Sequence, residues 1–411
     1  MPRSMFLLLC ALAVLVRLAL VATTLGTNDA IFWNRWAALV AEAGIPGAYG
    51  FSRMVNHPPL ALILVRATDL LAGALGIVFT DVFRLLQVLA DVLSAFALYR
   101  IGSGVSAGLA QRLALFVLLS PAAAFVSGFH CNSDPLMIAL VAVAAMLAME
   151  WRSGMAGVVL GLAAGIKVVP FLLMPIFVAS AVRRARFVVA FAATAAAIYL
   201  PVMVGGGTAV IRNLFGYAGG LPYEWGIPGV AFGTAHAFPS FRAELMSFMS
   251  FYNRYGRWAV YAGLVAVIIL AFRRRPLEPL QYTAILLLTM FALAPGFGVQ
   301  YIVWLIPAVP FALPWRAAVA VNAAASIYLF ITYTVWSGGW PWWFADMARP
   351  GPYRFLPAIA GYAMWAIVCA ALAVALRRGR RSGIELQTPT EALPPLPGSG
   401  STLPPRFRRR I

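Results

Sequence analysis

The chain has 411 residues, 62% hydrophobic and 11% charged, with 31 Lys and Arg against 13 Asp and Glu. A mean hydropathy of +0.86 excludes an ordinary soluble domain. The formal charge of +18 does not require nucleic acid as a partner, because the arginines cluster between apolar runs, as they do in the loops of a membrane protein.

Apolar runs of roughly 15–22 residues recur along the chain and predict membrane spans. The first, 5–25, has the outline of a signal peptide. Arg17 interrupts it and no small-residue cleavage site follows, so it is expected to remain as a span. Next comes Pro58 to Val78, an apolar segment that carries Arg66 and Asp69. If it crossed the bilayer, the arginine loops after it would change sides. Laid along the outer surface, it leaves Arg3, Arg100, Arg112, Arg152, Arg183, Arg184, Arg186, Arg316 and the groups Arg273 to Arg275 and Arg377 to Arg381 on one side. The positive-inside rule therefore favours a surface helix.

Further spans are expected at about 81–101, 111–129, 135–151, 154–168, 170–182, 187–204, 256–272, 279–294, 301–314, 317–336 and 354–376. The fold class is then an all-α polytopic membrane protein with about twelve transmembrane helices, in-plane helices outside, and both termini cytoplasmic. Residues 1–376 form the membrane domain, with external segments at about 26–80, 205–255 and 337–353. The third holds Trp340-Pro341-Trp342-Trp343, which fits an interfacial anchor. Residues 377–411 read as a disordered, basic, Pro-rich cytoplasmic tail. Cys10, Cys131 and Cys369 make no disulfide framework.

The polar residues collect on the expected outer face. Asn28-Asp29 follows the first span and opens a helical pattern in which Phe32, Trp36, Leu39, Val40 and Ala43 share a stripe. Asp29 reads either as an N-cap or as a carboxylate held above the bilayer, where it can take a proton from a hydroxyl. Gly128-Phe129-His130-Cys131-Asn132-Ser133-Asp134-Pro135 is a polar knot between two apolar runs. Asp134 could cap the helix that Pro135 begins, but ionisable groups at membrane depth tend to mark function. Lys167, the sole lysine, lies between two short apolar helices and suits a phosphate as a point charge, with Arg35 and Arg66 assisting. His57, His130 and His236 with these acids offer donor types for a divalent cation. No two of them have the i, i+4 spacing of helix ligands, so no metal ligand is assigned. No Walker or Rossmann spacing is present, which argues against a nucleotide-sugar donor.

The order of motifs resembles the GT-C-type glycosyltransferases: an acidic motif after the first span, His57-Pro58-Pro59-Leu60, an outer-loop acid opening a helix, and the runs Gly157 to Pro170 and Gln300 to Pro307. The last two look like the bacterial polyprenyl-phosphate-mannose-dependent branch. The resemblance implies transfer of a hexose or pentose, mannose foremost, from a polyprenyl-phosphate donor to an extracytoplasmic hydroxyl of a glycan, glycolipid or protein, with inversion. It assigns Asp29 as general base, Asp134 as the second catalytic acid, and Lys167 to the donor phosphate. His57, His130, Gln300 and Tyr301 complete the expected substrate site. The family often has two acids in the first motif; Asn28 stands in for one here, which shifts the weight onto Asp29. The expected location is the plasma (inner) membrane of the cell envelope. A transporter or lipid flippase is the alternative, since broken helices and sparse buried charges fit one as well.

Overall fold

The computed structural model describes residues 1–216, 224–274, 278–348, 353 and 355–380. The expected tail falls, from residue 381 onward, outside the described residues.

The described chain is helical apart from turns and one two-stranded pairing. It begins with α1 (Arg3–Thr23), β1 (Gly26–Thr27), α2 (Asn28–Phe51), α3 (Pro59–Leu75) and α4 (Phe79–Ser103). It continues with α5 (Ala107–Leu118), the short α6 (Pro121–Ala124), a π-helical turn over Phe125–His130, α7 (Asp134–Met149), α8 (Ser153–Ile166) and α9 (Val169–Ser180). After α10 (Arg184–Phe215) come α11 (Gly226–Ala237), α12 (Arg242–Arg274) and α13 (Pro279–Leu293). A 3-10 turn over Val299–Leu305, α14 (Val309–Ala312), α15 (Trp315–Ser337), β2 (Phe344–Ala345) and α16 (Leu356–Arg380) complete it.

Among the described residues six segments are long and apolar enough to cross a bilayer: α1, α4, α10, α12 with its leading turn, α15 and α16. A seventh follows if α5 and Pro121–His130, bent by 46° at Ser120-Pro121, form one broken span. About twelve spans were expected, several of them short for a bilayer. Helices α7, α8, α9 and α13 have only 12–16 residues, short of the roughly 20 that a bilayer requires. The expected span 301–314 is not one helix. It is a 3-10 turn followed by the four-residue α14, because Pro307 and Pro310 remove backbone donors in the middle. Conversely, the external segment 205–255 is largely helical, through the end of α10, α11 and the first half of α12. Helix α3, with 17 residues, ends at Gly76 in the left-handed conformation.

Two buried arginines hold the N-terminal helices together. Arg17 of α1 donates to Asp91 Oδ2 of α4 at 2.8 Å and to the carbonyls of Ala13 and Leu118 at 2.9 and 2.7 Å. The arginine that interrupts the first apolar run thus has a carboxylate partner in the next span, the condition under which charge survives at membrane depth. Arg84 of α4 donates to the carbonyls of Val21 and Thr24 at 3.1 and 2.8 Å and to Gly128 O at 3.3 Å. It therefore satisfies the orphan carbonyls at the end of α1.

Small residues set the closest helix contact. Gly157 and Gly161 of α8 face α10, and a Cβ there would lie 2.3 Å from Phe187 O and 2.8 Å from Thr194 Cβ. This four-residue spacing lets two backbones meet without side chains between them. The consequence for the site is that the end of α8, and with it Lys167, is fixed against the rest of the bundle.

Candidate active site

A cavity of about 820 Å³ opens among α2, the loop before α3, the α8–α9 break, α12 and the Gly296–Trp304 segment. Its wall carries Asp29, His57, Asn132, Lys167, Gln300 and Tyr301, together with Trp33, Trp36, Val260, Phe291 and Trp304. Polar groups thus face an otherwise apolar hollow.

Asp29 reaches this wall because the cap of α2 is another residue. Thr27 accepts from the Asp29 backbone N–H at 3.3 Å while its own hydroxyl donates to His130 O at 2.8 Å. The Asp29 carboxylate is therefore free of capping duty and sits in the first turn, where the helix dipole favours an anion. The approach depends on Gly26, whose φ is +96° and whose Cβ would lie 2.9 Å from Phe129 O. Strand β1 pairs in parallel with β2, Gly26 with Phe344 and Thr27 with Ala345. Asn28 donates to Asp346 Oδ1 at 3.1 Å and accepts from Met347 N–H at 2.9 Å. Asn28 is thus a latch to the segment between α15 and α16.

Asp29 Oδ2 accepts from Asn132 Nδ2 and lies 3.1 Å from His130 Nε2. The carboxylate keeps 26% exposure, on the cavity side. Burial pushes its pKa up, but hydrogen bonds from His130 and Asn132 and the Lys167 charge outweigh that and hold it below the ordinary carboxylate value. Asp29 is accordingly an ionised acceptor at neutral pH. Behind it, His130 closes the π-helical turn, is almost wholly buried, and meets Tyr333 Oη of α15 at 2.8 Å through Nδ1. An irregular turn of this kind commonly re-aims a side chain at a functional site.

Lys167 follows α8 in extended backbone, where the chain turns into α9 at Pro170. Its Nζ is 2.7 Å from Asp134 Oδ1 and lies over the rings of Tyr301 and Trp304, 4.8 and 5.5 Å from their centroids. Asp134 Oδ1 also accepts from Trp304 Nε1 at 2.6 Å. The two carboxylates were expected to open onto one hollow, and only Asp29 does. Asp134 has no exposed surface and lies behind Lys167 and Trp304. Its own Oδ2 is buried without a partner.

His57 packs edge-on against Trp33 and tilts against Trp36, with centroids 4.6 and 5.3 Å apart. Burial and then the nearby Lys167 charge push its pKa down to about 3, against a smaller opposing pull from Asp29. It is a neutral ring. Gln300 and Tyr301 reach the cavity from the 3-10 turn. Arg35 and Arg66 do not. Arg35 points outward from the exposed side of α2, opposite the buried Trp33 and Trp36, and Arg66 pairs with Asp69 on α3. Among the described residues no group of three His, Cys, Asp or Glu comes together as a metal set.

Sequence reasoning passed over four residues near this site. Asn132 lay inside the polar knot, and its amide is the kind of donor a carboxylate needs. Arg254 and Arg257 line the cavity from α12, and their i, i+3 spacing at the start of an apolar run was the available signal. Tyr333, near the C-terminal end of α15, carried none.

A helical bundle of membrane character, with an ionised carboxylate and an ammonium on one largely apolar cavity, has the outline of a membrane enzyme. Within that class the sequence is specific: the model of glycosyltransferase family 87 matches residues 55–295, more than half of the chain, and the protein belongs to this family of GT-C-type glycosyltransferases. No curated protein matches the sequence. The matched region includes His57, His130, Asp134 and Lys167, and leaves Asp29, Gln300 and Tyr301 in the flanks.

Proposed function

We propose that this membrane glycosyltransferase moves a hexose or pentose, mannose foremost, from a polyprenyl-phosphate donor to an acceptor hydroxyl on the extracytoplasmic side. The acceptor is a glycan, glycolipid or protein. The observation that carries the reading is the sharing of one cavity by Asp29 and Lys167, with aromatic and aliphatic side chains over the rest of its wall. The apolar part suits a prenyl chain, and the polar end suits a sugar phosphate.

In this reading the acceptor oxygen attacks the anomeric carbon as the bond from that carbon to the lipid phosphate breaks. The acceptor's proton goes to Asp29, and the phosphate departs with the bonding electron pair. In-line attack inverts the anomeric configuration. A positioned base of this kind contributes about 10²–10⁴-fold. Lys167 balances charge on the departing phosphate, although Asp134 already takes up part of its field. Asp134 thus acts through Lys167, holding the ammonium in place, and His57 serves as a neutral wall and hydrogen-bonding group. Helices α2 and α3 lie along the outer surface, and both termini are cytoplasmic in the inner membrane.

The test is full-length protein in proteoliposomes supplied with polyprenyl-phosphate sugars, mannose first, and a panel of acceptors. Wild type should release polyprenyl phosphate in step with product of inverted configuration, and Asp29→Asn should lose at least about 10²-fold in turnover. Near-normal turnover by that variant would remove Asp29 as the base.

A further inference from the structure

Tyr333 belongs to α15, about three hundred residues from Asp29 and outside the family-matched region. It has no exposed surface. Its ring meets those of Phe129 and Trp342 at 5.3 and 5.5 Å, and its hydroxyl ends 2.8 Å from His130 Nδ1. The other ring nitrogen, Nε2, is 3.1 Å from Asp29 Oδ2.

A neutral imidazole has one proton, and its position decides what Asp29 meets. With the proton on Nδ1, donated to the Tyr333 oxygen, the Nε2 lone pair would face an ionised carboxylate oxygen at 3.1 Å, two acceptors opposed in a buried place. With the Tyr333 hydroxyl donating to Nδ1, the proton is on Nε2 and points at Asp29. Building on the reading of Asp29 as the base, we infer that Tyr333 is a positioning residue that fixes the His130 tautomer. That tautomer holds one oxygen of Asp29 and leaves the other to the acceptor hydroxyl. Asn132 Nδ2 donates to the same Oδ2, so both fixed donors hold one side of the carboxylate. No hydrogen bond reaches Oδ1 from the described residues.

This arrangement sets a pH dependence. Besides His130, the groups that act on Asp29 are Asn132 beyond the π-helical turn and Lys167 at the α8–α9 break, while Cys131, His57 before α3 and Tyr333 itself lie within the reach of its charge. Tyr333→Phe removes the hydroxyl and leaves the other contributions in place. The Nε2–H donor is then no longer enforced, the ionised form of Asp29 loses support, and the acid limb of activity moves to higher pH.

The experiment uses full-length protein in proteoliposomes with a polyprenyl-phosphate sugar, comparing wild type, Tyr333→Phe, His130→Gln, the double variant and Asp29→Asn. For Tyr333→Phe, kcat should fall about tenfold at neutral pH with donor KM within about twofold. The acid limb should rise by about one pH unit, the scale of one charge-assisted hydrogen bond. Glutamine at 130 presents an amide N–H without tautomers, so adding Tyr333→Phe to His130→Gln should change kcat by less than about twofold. Wild-type kinetics in Tyr333→Phe, a loss at every pH with an unmoved acid limb, or a full tenfold further loss in the double variant would overturn the inference. Turnover by Asp29→Asn would instead sink the reading of the base, and the two failures are told apart.

Discussion

The Asp134–Lys167 pair offers the sharpest separation of structure from chemistry. Asp134→Asn preserves the shape and the acceptor for Trp304 Nε1 while deleting the charge 2.7 Å from Lys167 Nζ. Lys167→Met deletes the ammonium and keeps an aliphatic stem beneath Tyr301 and Trp304. The side chains are 0% and 9% exposed, so each single variant strands a charge in a place water hardly reaches. Breaking a buried pair from one side costs about 3–5 kcal/mol, whereas replacing both partners is often close to neutral. The double variant should therefore be more stable than either single one, with a coupling of about 2–3 kcal/mol, as expected of residues in direct contact. The assay is a heating series in detergent read by size-exclusion recovery, run as a complete cycle of four proteins. Losses that simply add would mean that the two side chains do not compensate each other, and Asp134 could not then be the residue that holds Lys167.

Lys167→Met should weaken donor binding more than Lys167→Arg does, measured as KM for the polyprenyl-phosphate sugar; equal effects would remove its phosphate role. His57, depressed to about 3, binds fewer protons folded than unfolded between that value and its ordinary 6.5, so stability falls as pH drops through this window. His57→Gln should flatten that slope in thermal stability measured from about pH 6.5 to 4. Gly157→Leu puts a side chain onto the Phe187 carbonyl, where even a Cβ would lie at 2.3 Å, and should prevent recovery of folded protein, while Gly108→Leu, where a Cβ meets nothing, should not. Arg17→Met leaves Asp91 without its partner and should cost about 3–5 kcal/mol, a loss that Asp91→Asn in the same protein relieves in part.

Much of the bundle was legible because a run of apolar residues without Pro or Gly has one outcome in a membrane, a helix that satisfies its own backbone. The ends of α1, α4 and α15 fall within a few residues of the sequence expectation for this reason. Composition alone cannot say whether a short apolar run crosses, and α7, α8, α9 and α13 are where the expected count of spans outran helix length. The prolines at 307 and 310 were visible, yet an apolar average over 301–314 concealed them. At the site, Asp29, Asp134 and Lys167 stood out as charges in greasy surroundings, and Asp29 and Lys167 do share a cavity. Which carboxylate faces it was not legible, because that depends on Thr27 taking the cap and on Trp304 covering Asp134 from a segment about 170 residues away.

The site is also divided along the chain in a way that bears on how it works. The family-matched core supplies His57, Asn132 and Lys167 to the wall, with the π-helical turn and Asp134 behind it. Asp29 and Tyr333, which meet His130 from opposite sides, come from the two flanks. Those flanks are joined directly, by the β1–β2 pairing, by Leu25 N–H donating to Trp343 O at 2.7 Å, and by Asn28 on Asp346. The carboxylate is thus held by a clip between the segment after α1 and the segment between α15 and α16 as well as by the core. Hydrophobic packing of long helices fixes the core at low resolution, and a handful of hydrogen bonds at their ends sets the final ångström. The in-line transfer proposed above tolerates little misplacement of its base; on that reading the polar clip matters more to the reaction than its few residues suggest, and the greasy bundle serves chiefly as the frame.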